Sequence, residues 1–312
     1  MPEPHADPAL AQAIDIVRDA SRGAALRPEV ASFFDPATNT VSHVVCDPGS
    51  RACAIIDSVL DFDPASGRTQ HASADALLQF IRARGLQVQW VLETHAHADH
   101  FSAAPWLQEQ VGGQLAIGER ITVVQHTFGK LFNAGTQYAR DGSQFDRLFA
   151  DGDRFRIGSL DAAVLQVPGH TPACIAYVIG DAVFAGDTLF MPDYGTARCD
   201  FPGGDAATLY RSIRRLLRLP GNTRMFLCHD YKAPGRDHYA WETSVAAQRS
   251  GNIHVREDIG EAEFVTMRQA RDATLSMPRL ILPSIQVNMR GGRWPEPEDN
   301  GISYLKIPLN AL

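Results

Sequence analysis

The chain is poor in cysteine. Cys46, Cys53, Cys174, Cys199 and Cys228 are five in 312 residues, an odd number with no CxxC pair. That excludes a disulfide framework and favours a reducing compartment, the cytoplasm. No run approaches the ~20 apolar residues of a membrane helix, and the opening stretch MPEPHADPALAQAIDIVRDA carries acids and prolines where a signal core would sit. Positive charge is short as well. A net charge of −7 argues against nucleic acid as a partner, because nucleic-acid binding needs a basic face. Low-complexity sequence is also absent. With 45% hydrophobic and 21% charged residues, the chain reads as a globular domain with ample core that acts on small molecules.

Short apolar runs alternate with helical patterns. Val41 to Cys46 and Ala52 to Ile56 read as strands joined through Asp47-Pro48-Gly49-Ser50. Ala74, Leu77, Leu78 and Ile81 repeat at helical spacing, with Ser73 placed as N-cap and Gly85 just past the end. A strand from Val88 to Leu92 leads into THAHADH at 94–100, and Ser102 to Val111 reads as a short helix. Residues 121–150 read as an insertion that shapes a rim. Ala162 to Val167 is a strand ending at Pro168-Gly169-His170; Cys174 to Ile179 and Ala182 to Ala185 form a hairpin through Gly180-Asp181 that ends at Gly186-Asp187. Leu209, Ile213, Leu216 and Leu217 mark a helix capped by Asp205, and Met225 to Cys228 runs into His229-Asp230-Tyr231. Metal-capable side chains thus stand where strands end, so distant parts of the chain can converge on one rigid edge. Imidazole and carboxylate together suit borderline divalent metals. His43, His71, His126, His238 and His254 lie outside these motifs and receive no role.

THAHADH, PGHT (168–171), Gly186-Asp187 and HDY (229–231), in that order, resemble the metallo-β-lactamase superfamily. The resemblance implies an α/β fold, an αβ/βα sandwich of two mixed sheets with helices outside and metal along one edge. It also implies two adjoining sites, His95, His97 and His170 in one and Asp99, His100 and His229 in the other, with Asp187 between. Function lives in the site, not the fold, so further segments must separate the reactions. Arg198-Cys199-Asp200-Phe201 is similar to the RTDF segment of the persulfide dioxygenases, and LPSIQVNMRGG (282–292), with Asn288, Met289 and Arg290, is similar to their ending. This likeness spans residues 33 to 292. It implies one Fe(II) per chain on His95, His170 and Asp187, with His97, Asp99, His100 and His229 retained around it. It further implies oxidation of glutathione persulfide by O₂ to sulfite and glutathione. On this reading Arg198, Tyr231, Asp200, Asn288 and Arg290 bind substrate, and no catalytic side chain is needed beyond the metal centre. Residues 1–30 are then an extension and 31–312 one domain, with a subfamily tail from about residue 236; a homodimer is left open. Two departures are the 70-residue step from His100 to His170 and Cys199 where the segment has threonine. For Cys199, a thiol activated by its arginine neighbour and a buried spectator are both open.

The alternative is a dinuclear zinc thioester hydrolase of the glyoxalase II type, since all seven ligand positions are present. Pro278, Pro283, Pro295, Pro297 and Pro308 interrupt the tail, which disfavours a purely helical substrate domain. A metal-dependent nuclease fits the acidic balance poorly. A non-catalytic binding module is the remaining class.

Overall fold

Alternation along the strands decides which way each residue faces. In the strand Ala52–Ile56, residues Ala52, Ala54 and Ile56 join one apolar cluster while Cys53 and Ile55 join another, as the two-residue period of a strand requires. A strand buried on both faces must have a layer on each side. The computed structural model, which describes residues 7–311, supplies both layers.

One six-stranded sheet runs in the order Glu29–Asp35, Thr40–Cys46, Ala52–Ile56, Gln87–Leu92, Gln114–Gly118 and Arg147–Phe149. Its first three strands pair antiparallel and the remainder parallel. The second follows the order Arg154–Ile157, Leu160–Gln166, Ile175–Ile179, Ala182–Phe184, Arg224–Phe226 and Glu242–Ser244. Val45, Ile56 and Leu92 of the first sheet meet Val164, Tyr177 and Phe184 of the second in the central core. Outside the first sheet lie the helices Ala72–Ala83, Ala104–Val111, Ile121–Leu131 and Ile281–Asn288, whose Leu77, Leu107, Val124 and Ile285 share a cluster with Val91 and Ile117. Outside the second lie Pro8–Ser21 and Ala206–Leu216, packing Leu10, Val17, Leu209 and Ile213 on Val178 and Met225. This is the expected αβ/βα sandwich. No helix among the described residues is long and apolar enough to cross a membrane.

Four local expectations are corrected. The first helix after the hairpin begins at Ala72 behind His71, without a side-chain cap; Ser73 instead gives its N–H and hydroxyl to Asp61, at 3.0 and 2.7 Å. The helix expected from Ser102 starts at Ala104, because Phe101–Ser102 pairs as a short strand with Val59 and Leu60. Residues 121–150 are not a rim: they hold a packed helix and the strand Arg147–Phe149 that closes the parallel edge of the first sheet. Residues 7–30 are not an appendage either. Asp7 caps the helix Pro8–Ser21 and receives two hydrogen bonds from Arg215, at 2.7 and 2.8 Å. The strand Glu29–Asp35 crosses the boundary expected at residue 30.

Candidate metal centre

The two sheets deliver their ligand-capable residues differently. The strand Gln87–Leu92 releases the whole loop 94–100, whereas the second sheet gives one residue at a time: His170 after Leu160–Gln166, Asp187 after Ala182–Phe184, His229 after Arg224–Phe226. Two glycines let these ends close in. At Gly169 (φ +139°) an added Cβ would lie 2.3 Å from the Leu209 Cα, and at Gly186 (φ +51°) 2.6 Å from the Thr94 hydroxyl, so no side chain fits at either position. The Val41 N–H donates to the Cys228 carbonyl at 2.7 Å, which ties the His229 strand end to the first sheet.

Each imidazole is pinned through one nitrogen. His95 Nδ1 bonds the Thr94 hydroxyl at 2.9 Å, which in turn donates to Asp57 at 2.9 Å. His97 Nε2 lies 3.0 Å from both Asp57 and Glu93. His100, His170 and His229 use Nδ1 on the carbonyls of Phe101, Arg198 and Asn39, at 3.0, 2.7 and 3.1 Å. Such outer partners fix the tautomer and orientation of a metal-binding ring. Asp57 holds φ +52°, rare for a non-glycine residue, and in this pose also accepts from the Thr94 N–H at 2.8 Å.

Four of the five remaining ring nitrogens, and one carboxylate oxygen, lack partners. His95 Nε2, His97 Nδ1, His100 Nε2, His229 Nε2 and Asp187 Oδ1 are buried without a hydrogen bond. Each such orphan costs about 1–3 kcal/mol unless something binds it, and a divalent cation is the species that would satisfy several at once. Burial first, then the neighbouring imidazoles, hold His95 well below its ordinary pKa, and burial brings His100 down to about 4; the neutral ring is the form that ligates metal. Burial works against charge on His97 too, but Asp57 and Glu93 raise its pKa well above the ordinary value. The residues present therefore fit a metal.

Distance separates the donors. His95, His170 and Asp187 each bring one ligand atom within 4.8 Å of the others, and Asp187 Oδ2 lies 3.9 Å from His95 Nε2 and 3.6 Å from His170 Nε2. The other groups that converge in this way are His97, Asp99 and His100; Asp187, Cys228 and His229; and Asp57, Glu93 and His97. The two triads implied for adjoining sites are not among them. His229 Nε2 nonetheless stands 3.2 Å from Asp187 Oδ1 and 3.3 Å from Asp99 Oδ2.

A cavity of about 450 Å³ opens over His170, Asp99 and Asp187. Tyr231 lines it, stacked on His229 with ring centroids 5.6 Å apart and on Tyr194 at 5.1 Å. Arg198 also lines it but is committed: Nε and Nη2 donate to Asp200 at 2.6 and 2.7 Å, and Nη1 to the Ser276 carbonyl at 2.7 Å. Three of its five N–H groups are used, so a substrate carboxylate would compete with Asp200 for it. Asp200 serves Arg198 and does not line the cavity. Asn288 is buried and donates to the carbonyls of His97 and His100 at 2.8 and 2.7 Å while accepting from the Ser102 N–H at 2.9 Å. It holds the histidine loop in place instead of touching substrate. Arg290 sits on a different cavity, 4.4 Å over the Tyr138 ring, so it too leaves the substrate set. Cys199 is the buried spectator: its N–H and thiol bond Asp272, and burial pushes the thiol up to about 12. Sequence reasoning missed Asp57, Glu93 and Arg268. The first two had a signal, carboxylates directly after strands that end at the histidine edge; Arg268, buried against Asp272, had none.

Comparison with known proteins follows the same outline. Residues 36–229 match the family model of the metallo-beta-lactamase superfamily. The chain is 59% identical to a "probable metallo-hydrolase" of Burkholderia pseudomallei over 91% of this chain and 99% of that one. It is 49% identical to "glyoxylase B2" of Dictyostelium discoideum over 88% and 94%, and 29% identical to the mitochondrial "persulfide dioxygenase ETHE1" of Mus musculus over 83% and 87%. The crystal structure of ETHE1 from Myxococcus xanthus superposes with a TM-score of 0.67 at 29% identity, covering 85% of this chain and all of that one. The motifs, the sandwich and the matched span agree: the chain belongs to the metallo-β-lactamase superfamily.

Proposed function

We propose that this chain is a persulfide dioxygenase with one Fe(II) per chain, held by His95, His170 and Asp187, that converts glutathione persulfide, O₂ and water to glutathione and sulfite. The observation that carries this reading is the convergence of two imidazoles and one carboxylate within 4.8 Å, the donor set of non-haem iron oxygenases. Bound by these three residues, iron would supply the redox chemistry between the persulfide and dioxygen. The chain's own residues do the rest. The Thr94 hydroxyl and the Arg198 carbonyl keep the two imidazoles aimed inward. Asp187 offsets part of the metal charge. Phe190, Tyr194 and Phe201 wall the cavity from water, and Tyr231 presents a hydroxyl beside His229. The likeness of residues 198–201 to the persulfide dioxygenases and the full coverage of the Myxococcus structure support the same reading.

A second reading is favoured by other observations: a dinuclear zinc hydrolase of glutathione thioesters. The names of the relatives at 49% and 59% identity lean toward it more than toward the oxygenase. The orphaned nitrogens of His100 and His229, beside Asp99 and the free oxygen of Asp187, offer ligands for a second ion. The discriminating experiment is elemental analysis of protein from iron-supplemented cells, with oxygen-electrode assays on glutathione persulfide. One iron per chain with oxygen uptake and sulfite release is expected. Zinc-dependent hydrolysis of lactoylglutathione without oxygen uptake overturns the proposal in favour of the hydrolase.

A further inference from the structure

We infer that Arg271 and Arg279 are specificity-determining residues of the metal cavity and select a thiol compound that carries two carboxylates; the inference rests on the reading that this cavity is the substrate site. The charges lining the cavity are Asp99, Asp187, Arg198, Arg268, Arg271 and Arg279. Asp99 and Asp187 stand among the metal-capable histidines, where a divalent ion would balance them. Arg198 is neutralised by Asp200 at 2.6 Å, and Arg268, almost wholly buried, by Asp272 at 2.6 Å. Two positive charges remain. Among the described residues neither Arg271 nor Arg279 has an ion-pair partner or a side-chain hydrogen bond, and both are exposed.

An exposed unpaired arginine alone says little. Here, however, Arg271 lies in the last turn of the helix Glu261–Asp272 and Arg279 just before the helix Ile281–Asn288, and the connection between them, 273–280, closes over the cavity through Leu275, Pro278 and Leu280. The floor is imidazole and carboxylate, from His170, Asp99 and Asp187, while the rim carries two free guanidiniums, so a ligand seated by its sulfur on the floor meets cations at its outer end. A planar guanidinium takes a carboxylate through two parallel hydrogen bonds, and two such groups match a dicarboxylate better than a neutral or singly charged thiol. The volume, about 450 Å³, lies in the range of small-molecule sites. Arg279 also borders the larger apolar cavity next to this one, which places it where the ligand leaves the metal pocket.

The test is calorimetric titration of the metal-loaded full-length protein with S-methylglutathione, which is neither a persulfide nor a thioester and so is not turned over on either functional reading. Arg271→Gln and Arg279→Gln should each weaken binding roughly 10- to 100-fold, the effect of losing a charge-assisted hydrogen-bonded pair. The glycyl ethyl ester of the same ligand should bind wild type more weakly by a similar factor, and one of the two variants should show no further loss toward it. The exposed positions should leave the melting temperature unchanged. Unaltered affinity in both variants, an ester bound as tightly as the diacid, or no wild-type binding would each overturn the inference. Because the ligand is inert, absent oxygen uptake on glutathione persulfide would defeat the oxygenase reading while leaving the binding result intact.

Discussion

The floor and the rim of the cavity are built on opposite plans. On the floor, His95, His97, His100, His170 and His229 each spend one nitrogen on a fixed partner and leave the other for a metal. On the rim, Arg198 and Arg268 are committed to carboxylates while Arg271 and Arg279 are not. A floor that must hold a cation gains from preorganisation, since every ring arrives in the right tautomer. A rim that only selects can keep its groups in solvent until a ligand arrives. Substitutions on the floor should therefore cost metal, and substitutions on the rim only affinity.

The largest effect belongs to the three residues that converge. Alanine at His95, His170 or Asp187 should abolish both metal retention and oxygen uptake, measured by elemental analysis beside the oxygen electrode. Retained iron in any of the three would remove that residue from the ligand set. Next comes the support beneath them. Asp57→Asn keeps a side chain that tolerates φ +52° but deletes the charge that Thr94 and His97 lean on. It should lower metal affinity about 10- to 100-fold, read by competition with a chelator, and wild-type affinity would show that Glu93 alone suffices.

Asn288 offers a sharper contrast, because it lies outside the cavity and touches only backbone. Asn288→Ala leaves two carbonyls and one N–H of the histidine loop unpaired in the interior. The expected loss is about 1–3 kcal/mol of stability in chemical denaturation, with KM little moved in the fraction that folds. A raised KM at unchanged stability would return Asn288 to the substrate set.

How much of this could be read from the chain depends on distance in sequence. THAHADH is legible because four candidates fall in seven residues, and His170, Asp187 and His229 because each follows an apolar run at a turn. The sandwich came with the family resemblance that the ordered motifs carry. The helix Pro8–Ser21 went unread inside the extension assigned to residues 1–30, since its partner, the outer face of the second sheet, exists only after folding. The strand Arg147–Phe149 is three residues long, too short to show a period of two. The roles of Arg198 and Asn288 were hidden for a related reason: a polar side chain near a site can serve the ligand or the scaffold, and which it does depends on partners as remote as Ser276 and Ser102.

The smallest effect concerns the scaffolding under the floor. His43 is buried between the sheets, with Nε2 on the Leu227 carbonyl at 3.2 Å and Nδ1 on the Ser32 hydroxyl at 2.9 Å. Burial brings its pKa from 6.5 down to about 4. Between those values the unfolded chain binds the proton and the folded chain does not, so this contribution to stability is full above about pH 6.5 and is lost as pH falls toward 4. Denaturation of the metal-free protein across that window should show stability falling with pH, and His43→Gln should flatten the slope. An unchanged slope would assign the acid sensitivity elsewhere.

The most direct test of the central claim, that three residues hold a single iron, is metal per chain in wild type and His229→Ala, measured beside oxygen uptake. His229 stands 3.2 Å from Asp187 but outside the converging group with His95 and His170. The account predicts about one iron in both proteins and turnover reduced about 10- to 100-fold in the variant. A wild type with two ions, falling to one with hydrolysis lost in His229→Ala, would contradict it.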